Sequence, residues 1–521
     1  MPSREILRFC LEKGLLLDAD VLKLFSEAGD VNAVKTIIEK IKTQTQKRII
    51  TKSLLSDREN LEKVFLTLPK ESHEVIDNIK IKLGLSIEIS REIKDRQDIQ
   101  KSPEKAVENS DVKVISMNYS PSKKLEVVDF VNYFRSRYSD LKDILQEHPD
   151  LDKLTSINKI PLNQQRFSLI GIVSGKRITK NKNIIFDIED LTGKVSVLIT
   201  KNKPELYAKA EEVTLDSVIG FKCSGSKEII FVNDVVFPDA HILKRKNSNT
   251  DECVLFIGDL HIGSSRFFEE KFLKFVDYLN GNVNGTEEEV SKIKYLIIVG
   301  DLIAGVGAYP GQEYEIVLGD LESQFEKAAE LLGKIRKDIK IIISPGNHDG
   351  IRLMEPQPVL DEKYAWRIYE LENVILVGNP CQINISSNEI FDGFNVLLYH
   401  GVSYFYYTNN IPQLITKHAT HNPELIMSYL LKNRHLAPTH SSTQYFPSEK
   451  DAHLIKTVPD IFVSGHIHKS AVAYHNNILM ISVSSWEDKT PYMEKQGAEP
   501  DFCKVPMFNL KTRAIKILDF E

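Results

Sequence analysis

Aspartates and histidines recur beside glycines in this chain, at spacings that suit metal ligation. Asp259-Leu260-His261, Gly300-Asp301, Gly346-Asn347-His348-Asp349, His400-Gly401 and Gly465-His466-Ile467-His468 follow one another in that order. In Asp259-x-His261 and His466-x-His468 the partners are two apart, so on an extended segment they face the same side and can share a site. The neighbouring glycines permit a tight turn and a close backbone approach. Asn347 sets a neutral amide oxygen beside His348, a histidine that need not be a ligand. Taken singly, a Gly-Asp pair means nothing, and a His-x-His is more often a satisfied polar pair. Five such motifs in order, each ending an apolar run, predict a dinuclear metal site. A mixed Asp, His and Asn set suits a borderline transition metal better than magnesium, which prefers oxygen ligands and keeps its waters.

The motifs need strands to position them. The runs Val254–Ile257, Tyr295–Val299, Ile339–Ile343, Val396–Tyr399 and Ile461–Val463 read as strands, and each leads into one motif. Helical patterns at Phe267–Leu279 and Leu321–Lys337 alternate with them, which predicts a layered α/β domain over 251–521. In an open α/β sheet, ligands gather at the carboxyl ends of the strands. Upstream the period changes. Phe167–Ser174, Ile184–Glu189, Val195–Ile199, Ser217–Cys223 and Ile229–Val235 are short β-branched runs, with a helical piece at Pro204–Glu211 after the third. That order predicts an oligonucleotide/oligosaccharide-binding (OB) barrel over 163–246. Such a barrel can stack single strands on aromatic rings or serve as a structural block. Its in-run aromatics, Phe167, Phe186, Phe221 and Phe231, read as core-facing and favour the structural use.

Before the barrel, 125–162 reads as a helix, Val127–Gln146, and an irregular approach through Pro149 and Pro161. The polar stretch 86–124 reads as a flexible linker. Residues 1–85 read as a small α-helical interaction domain, with Ile6, Leu7, Phe9, Cys10 and Leu11 recurring at helical spacing.

The chain has 521 residues, of which 42% are apolar and 27% charged, which excludes a chain disordered throughout. No apolar run approaches the ~20 residues of a membrane span, and the first residues do not read as a secretory signal. Five dispersed cysteines without a CxxC pair argue for reduced thiols, and so for a cytoplasmic protein. The net charge of −6 gives no global case for nucleic-acid binding, so any such contact is local or supplied by a partner.

The ordered motif set resembles that of the calcineurin-like metallophosphoesterases over roughly Cys253–Glu521. Carried over by resemblance, Asp259, His261 and His468 would hold one metal, and Asn347, His400 and His466 the second. Asp301 would bridge them, and His348 would sit over the scissile phosphate as the catalytic residue. The segments Arg352-Leu353-Met354-Glu355-Pro356-Gln357-Pro358 and Arg434-His435-Leu436-Ala437-Pro438-Thr439 narrow the resemblance to the small subunits of archaeal D-family DNA polymerases, relatives of the eukaryotic polymerase B subunits. That resemblance implies two Mn2+ ions and a 3′–5′ exonuclease on single-stranded or mismatched DNA 3′ ends. It also implies a large catalytic subunit as heterodimer partner and a place in the archaeal cytoplasm, near the nucleoid. Two such ions, about 3.5–4 Å apart, would clamp the phosphate and lower the pKa of a bridging water. His348 would then protonate or stabilise the departing 3′ oxygen. The competing readings are a stand-alone repair nuclease, disfavoured by domain order, and a non-catalytic scaffold, disfavoured by the intact ligand set.

Overall fold

The computed structural model describes residues 2–26, 34–35, 38–39, 42, 49–50, 112–117, 124–160, 162 and 165–521. The chain divides into two compact units, Met1–Lys101 and Ser102–Glu521. In the first, helices Pro2–Glu12 and Ala19–Ser26 bury Ile6, Cys10, Val21 and Phe25. The i, i+4 spacing of Ile6 and Cys10 places both on one helix face. Strands β1 (Leu16–Leu17) and β2 (Ile49–Ile50) pair in parallel there, a feature the helical reading of 1–85 did not include. Val34 and Ile38 are buried as well, and most of the rest of that reading lies outside the described residues.

The second unit begins with β3 (Val112–Met117), inside the stretch expected to be a linker. That expectation is corrected for these six residues. Val112 is fully buried, and the strand pairs antiparallel with the strand Cys381–Ile385. Its neighbours in sequence are polar, which hid a short strand that only a distant partner stabilises. The Val127–Gln146 helix follows, closed at its start by a reciprocal capping box between Glu126 and Asp129.

Strands β4 (Gln165–Ile178), β5 (Ile184–Asp190), β6 (Gly193–Ile199), β7 (Val218–Gly225) and β8 (Ile230–Val236) close into a barrel of order β4-β5-β6-β8-β7. A helix, Pro204–Glu211, lies between β6 and β7. Phe167, Phe186 and Phe221 fill the interior, whereas Phe231 is 39% exposed. The core-facing expectation for Phe231 is thereby corrected: in β8 the burial alternates, and Ile230 and Val232 take the inward positions.

The remainder is built on two facing six-stranded sheets. The first, of order β12-β11-β10-β9-β18-β19, uses β9 (Cys253–Ile257), β10 (Ile293–Val299), β11 (Lys340–Ser344), β12 (Val374–Leu376), β18 (Lys504–Asn509) and β19 (Ile515–Asp519). The second, β16-β17-β15-β14-β13-β3, adds β13 (Cys381–Ile385), β14 (Phe394–Leu398), β15 (Ile461–Ser464), β16 (Ala471–His475) and β17 (Ile478–Ser482). Val254 and Phe256 of β9 meet Val396, Leu398 and Val463 between the sheets. Leu255 and Ile257 face the other way, onto helices Glu269–Leu279 and Leu321–Gly333. Helices Tyr404–Asn410 and Pro423–Asn433 cover the far side of the second sheet. The central strands are buried on both faces, which is why they read as unbroken apolar runs. Among the described residues, no helix is long and apolar enough to cross a membrane.

Candidate metal centre

Strands β9, β10 and β11 run parallel, as do β14 and β15, and their carboxyl ends deliver all five motifs to one place. Asp259, His261 and His468 bring a ligand atom each to within 4.8 Å of one another, as do Asp301, His400 and His466, and also His261, Asp301 and His348. Asp301 belongs to two of these groups and so stands between the halves. His261 Nε2 lies 3.2 Å from His468 Nε2, and His468 Nε2 lies 3.4 Å from Asp259 Oδ1. On the other side, His400 Nε2 is 3.2 Å from Asp301 Oδ2 and 3.0 Å from Asn347 Oδ1. The eight residues singled out in the sequence thus share one site.

The local backbone differs from the extended geometry that the Asp-x-His and His-x-His spacing suggested. Asp259, His261, Asp301, His466 and His468 all have φ between 49° and 70°. Each is a tight loop residue past its strand, in a conformation that non-glycine residues adopt at a cost and that clusters at functional sites. Backbone bonds hold these turns: the N–H groups of Leu260 and His261 donate to the Asp301 carbonyl, and that of His466 to the Asp259 carboxylate.

Two histidines are oriented from behind. His400 Nδ1 lies 3.1 Å from the Val299 carbonyl and His348 Nδ1 lies 2.7 Å from that of Ala304. A proton on each Nδ1 satisfies those carbonyls; for His400 this is the arrangement that fixes a ligating tautomer, and for His348 it fixes the ring. Asp349, quoted in the motif but given no role from sequence, accepts the N–H groups of Ile303 (3.1 Å) and Gly346 (2.7 Å). It ties the loop after β10 to the loop after β11. Only those contacts, 46 and 3 residues away, reveal it.

The electrostatics suit cations. Burial opposes ionisation of Asp301, but His400 and His348 outweigh it and hold the carboxyl well below its usual range. Burial likewise opposes charge on His400, yet the Asp301 carboxylate lifts it to about 10, so a metal ion there would displace the proton from Nε2. His261 and His466 are pushed well down, chiefly by burial, which keeps them neutral with lone pairs available. Burial, and then the Asp301 charge, raise Asp349 to about 6. Among the described residues, Asp259 and Asp301 pair with histidines and with no lysine or arginine. Two carboxylates, an amide oxygen and imidazoles converging without a fixed cation form a donor set that fits two transition-metal ions. Rings flank the cluster: Tyr309 stacks on Tyr492 at 5.0 Å and neighbours His348, while half-exposed Phe405 stands edge-on to His466. Sequence reasoning did not single out these aromatics, because nothing local distinguishes them.

Residues 254–472 match the model of a family described as the B subunits of DNA polymerases alpha and epsilon. The DNA polymerase II small subunit of Methanothermobacter thermautotrophicus is 35% identical over 399 residues, covering 76% of this chain and 80% of the relative. The protein of the same description from Pyrococcus furiosus is 36% identical over 400 residues, covering 75% of this chain and 63% of that relative. A solved structure described as a novel archaeal phosphodiesterase aligns with 51% of this chain and 98% of its own, at 10% identity and a TM-score of 0.24.

Proposed function

This chain belongs to the family of DNA polymerase II small subunits, and from that premise we propose that it is the polymerase's 3′–5′ exonuclease, a dinuclear-metal phosphodiesterase of calcineurin-like fold over 251–521. The observation that carries the reading is the sharing of Asp301 between overlapping donor groups, all buried or nearly so at the carboxyl ends of parallel strands. Asp259, His261 and His468 would hold one ion, and Asn347, His400 and His466 the other, with Asp301 between them. Two divalent ions there, Mn2+ by preference, would supply Lewis-acid polarisation of a phosphodiester and a water of lowered pKa.

The chain's own residues do the rest. His348, whose Nδ1 faces the Ala304 carbonyl, would hand a proton from Nε2 to the departing 3′ oxygen when its ring carries protons on both nitrogens. Tyr309, beside His348, and Phe405, beside His466, are the rings that would meet bases of a single-stranded end. The barrel over 163–246, read as an OB fold, serves as a structural block, and residues 1–85 as an interaction module joined through the chain that precedes β3. Polymerisation belongs to a large catalytic partner subunit, with which this chain forms a heterodimer.

A 5′-labelled single-stranded oligonucleotide and a 3′-mismatched duplex, incubated with the full chain and Mn2+, test the reading. Shortening one nucleotide at a time from the 3′ end is expected. His348→Ala is expected to lose at least ~100-fold in rate while Mn2+ binding, followed by calorimetry, persists. Asp301→Ala is expected to lose both. Full activity in His348→Ala would remove that residue's role, and a wild-type chain inert with Mn2+ would remove the nuclease.

A further inference from the structure

Between the donor cluster and the Val127–Gln146 helix runs a continuous buried chain of polar side chains that the chemistry of the metal centre does not use. It starts at Arg137, fully buried on that helix, whose Nε donates to Asp451 Oδ2 at 2.5 Å and whose Nη1 donates to the carbonyl of Pro438 at 2.6 Å. Asp451 also accepts from Tyr133 Oη at 2.7 Å and from the backbone N–H of His453 at 3.0 Å. His453 Nε2 then meets Glu355 Oε2 at 2.8 Å, and Tyr399 Oη donates to the same oxygen at 3.3 Å. Glu355 opens the Glu-Pro-Gln-Pro segment, and Gln357, two residues on, exchanges backbone hydrogen bonds with Asn379. Asn379 Nδ2 donates to Gln357 Oε1 at 2.7 Å.

The end of this chain is selective. Asn379 Oδ1 accepts the backbone N–H of His400 at 2.9 Å, and Gln357 Nε2 donates to the carbonyl of Gly346, the residue before Asn347, at 3.0 Å. Both contacts fall on the Asn347/His400 half of the cluster. The hydrogen bonds that hold Asp259, His261 and His468 come from elsewhere. Burying charged groups in this number is a poor route to stability, because desolvation offsets the attraction. Direction is what such a chain supplies: each bond fixes the rotamer of the next side chain.

We infer that Asn379, Gln357 and Glu355 are positioning residues for the Asn347/His400 half of the site, and that the Arg137–Asp451 pair anchors the chain at its far end. This rests on the metal centre proposed above. It also gives the two family-like segments, 352–358 and 434–439, a physical role. The first supplies Glu355 and Gln357, while the second supplies the Pro438 carbonyl and His435, whose Nε2 is 2.8 Å from Asp451.

Mn2+ titration of the full chain by calorimetry, with no nucleic acid present, tests the inference. Wild type is expected to bind two ions. Asn379→Ala is expected to weaken the second ion at least tenfold, as His400→Ala should, and to leave the first within threefold, unlike His261→Ala. Unchanged affinities for both ions, or equal weakening of both, would overturn the inference, since a merely structural defect has no reason to choose a half. Should far-UV circular dichroism show Asn379→Ala to be unfolded, Glu355→Gln, nearly isosteric and still an acceptor for His453, is judged by the same criterion. A wild-type chain that binds no ion would instead refute the metal centre, and this inference with it.

Discussion

Gly346 shows how little room the donor cluster leaves. A Cβ built there would overlap the Asp301 carboxylate and come within 2.5 Å of the Asp301 backbone nitrogen. Gly300, at φ 83°, is doubly constrained, because a Cβ would also collide with the His400 ring. Gly346→Ala is therefore expected to displace Asp301, reduce Mn2+ stoichiometry and lower hydrolysis by at least ~100-fold, a loss typical of misplaced catalytic geometry. A variant with wild-type stoichiometry would mean that the loop yields, and that the tight contact is not what seats Asp301. These glycines were legible in the sequence as companions of the ligands, because the need for a turn is local. Asp349, Gln357 and Asn379 were not. Their partners lie in other loops, and a buried amide or carboxylate announces nothing until its acceptor or donor is known.

The Val127–Gln146 helix joins the barrel to the loops that follow helix Pro423–Asn433. Tyr133 and Arg137 enter the polar chain, while Tyr138 donates to the Ile170 carbonyl of the barrel strand β4. Its limits, like those of the Pro204–Glu211 helix, follow from apolar spacing and are unchanged in the structure. Strand β3 was illegible, since six residues amid polar sequence gain their strand character only by pairing with β13. Arg137→Met should leave Asp451 charged and buried without its strongest partner, at a cost of about 3–5 kcal/mol. Urea denaturation measures it, and a loss below ~1 kcal/mol would show the pair to be dispensable. The same chain sets a pH optimum for stability. Burial opposes the charge on His453, but Asp451 and Glu355 raise it from 6.5 to about 9. The proton it holds stabilises the fold fully below pH 6.5, and that contribution is lost as pH rises through 9. His435, lowered by burial from 6.5 to about 4 despite Asp451, acts in reverse: its contribution is whole above pH 6.5 and is lost as pH falls toward 4. The groups facing the pair are Tyr133 and Arg137 from the Val127–Gln146 helix, Glu355 from the loop after β11, and Tyr445 and Asp451 from the segment before β15. Urea midpoints should therefore fall on both sides of about pH 6.5, with His453→Gln flattening the alkaline limb. An unaltered alkaline limb in that variant would place the titration elsewhere.

For the whole molecule, charge decides how the proposed nuclease would find its substrate. With 67 basic against 73 acidic residues, the chain carries −6 and cannot draw DNA by its overall field. Phosphate contacts supply most non-specific affinity and make it salt-dependent, so a chain with few of them should bind DNA weakly and with a shallow salt slope. Every residue of the donor cluster comes from this one polypeptide. Together these facts separate chemistry from capture. The isolated chain should turn over bound ends at a rate close to that of the complete polymerase, yet show a KM at least tenfold higher. The large subunit should restore the lower KM together with a steep salt dependence. Exonuclease kinetics on one labelled oligonucleotide, with and without the co-purified large subunit and at two salt concentrations, measure both quantities. Equal KM values would place the DNA track on this chain after all, while a kcat that rises with the partner would mean that the partner helps to build the metal centre. The second outcome would favour the Val127–Gln146 helix as the point of entry, since it connects to the Asn347/His400 half through buried hydrogen bonds.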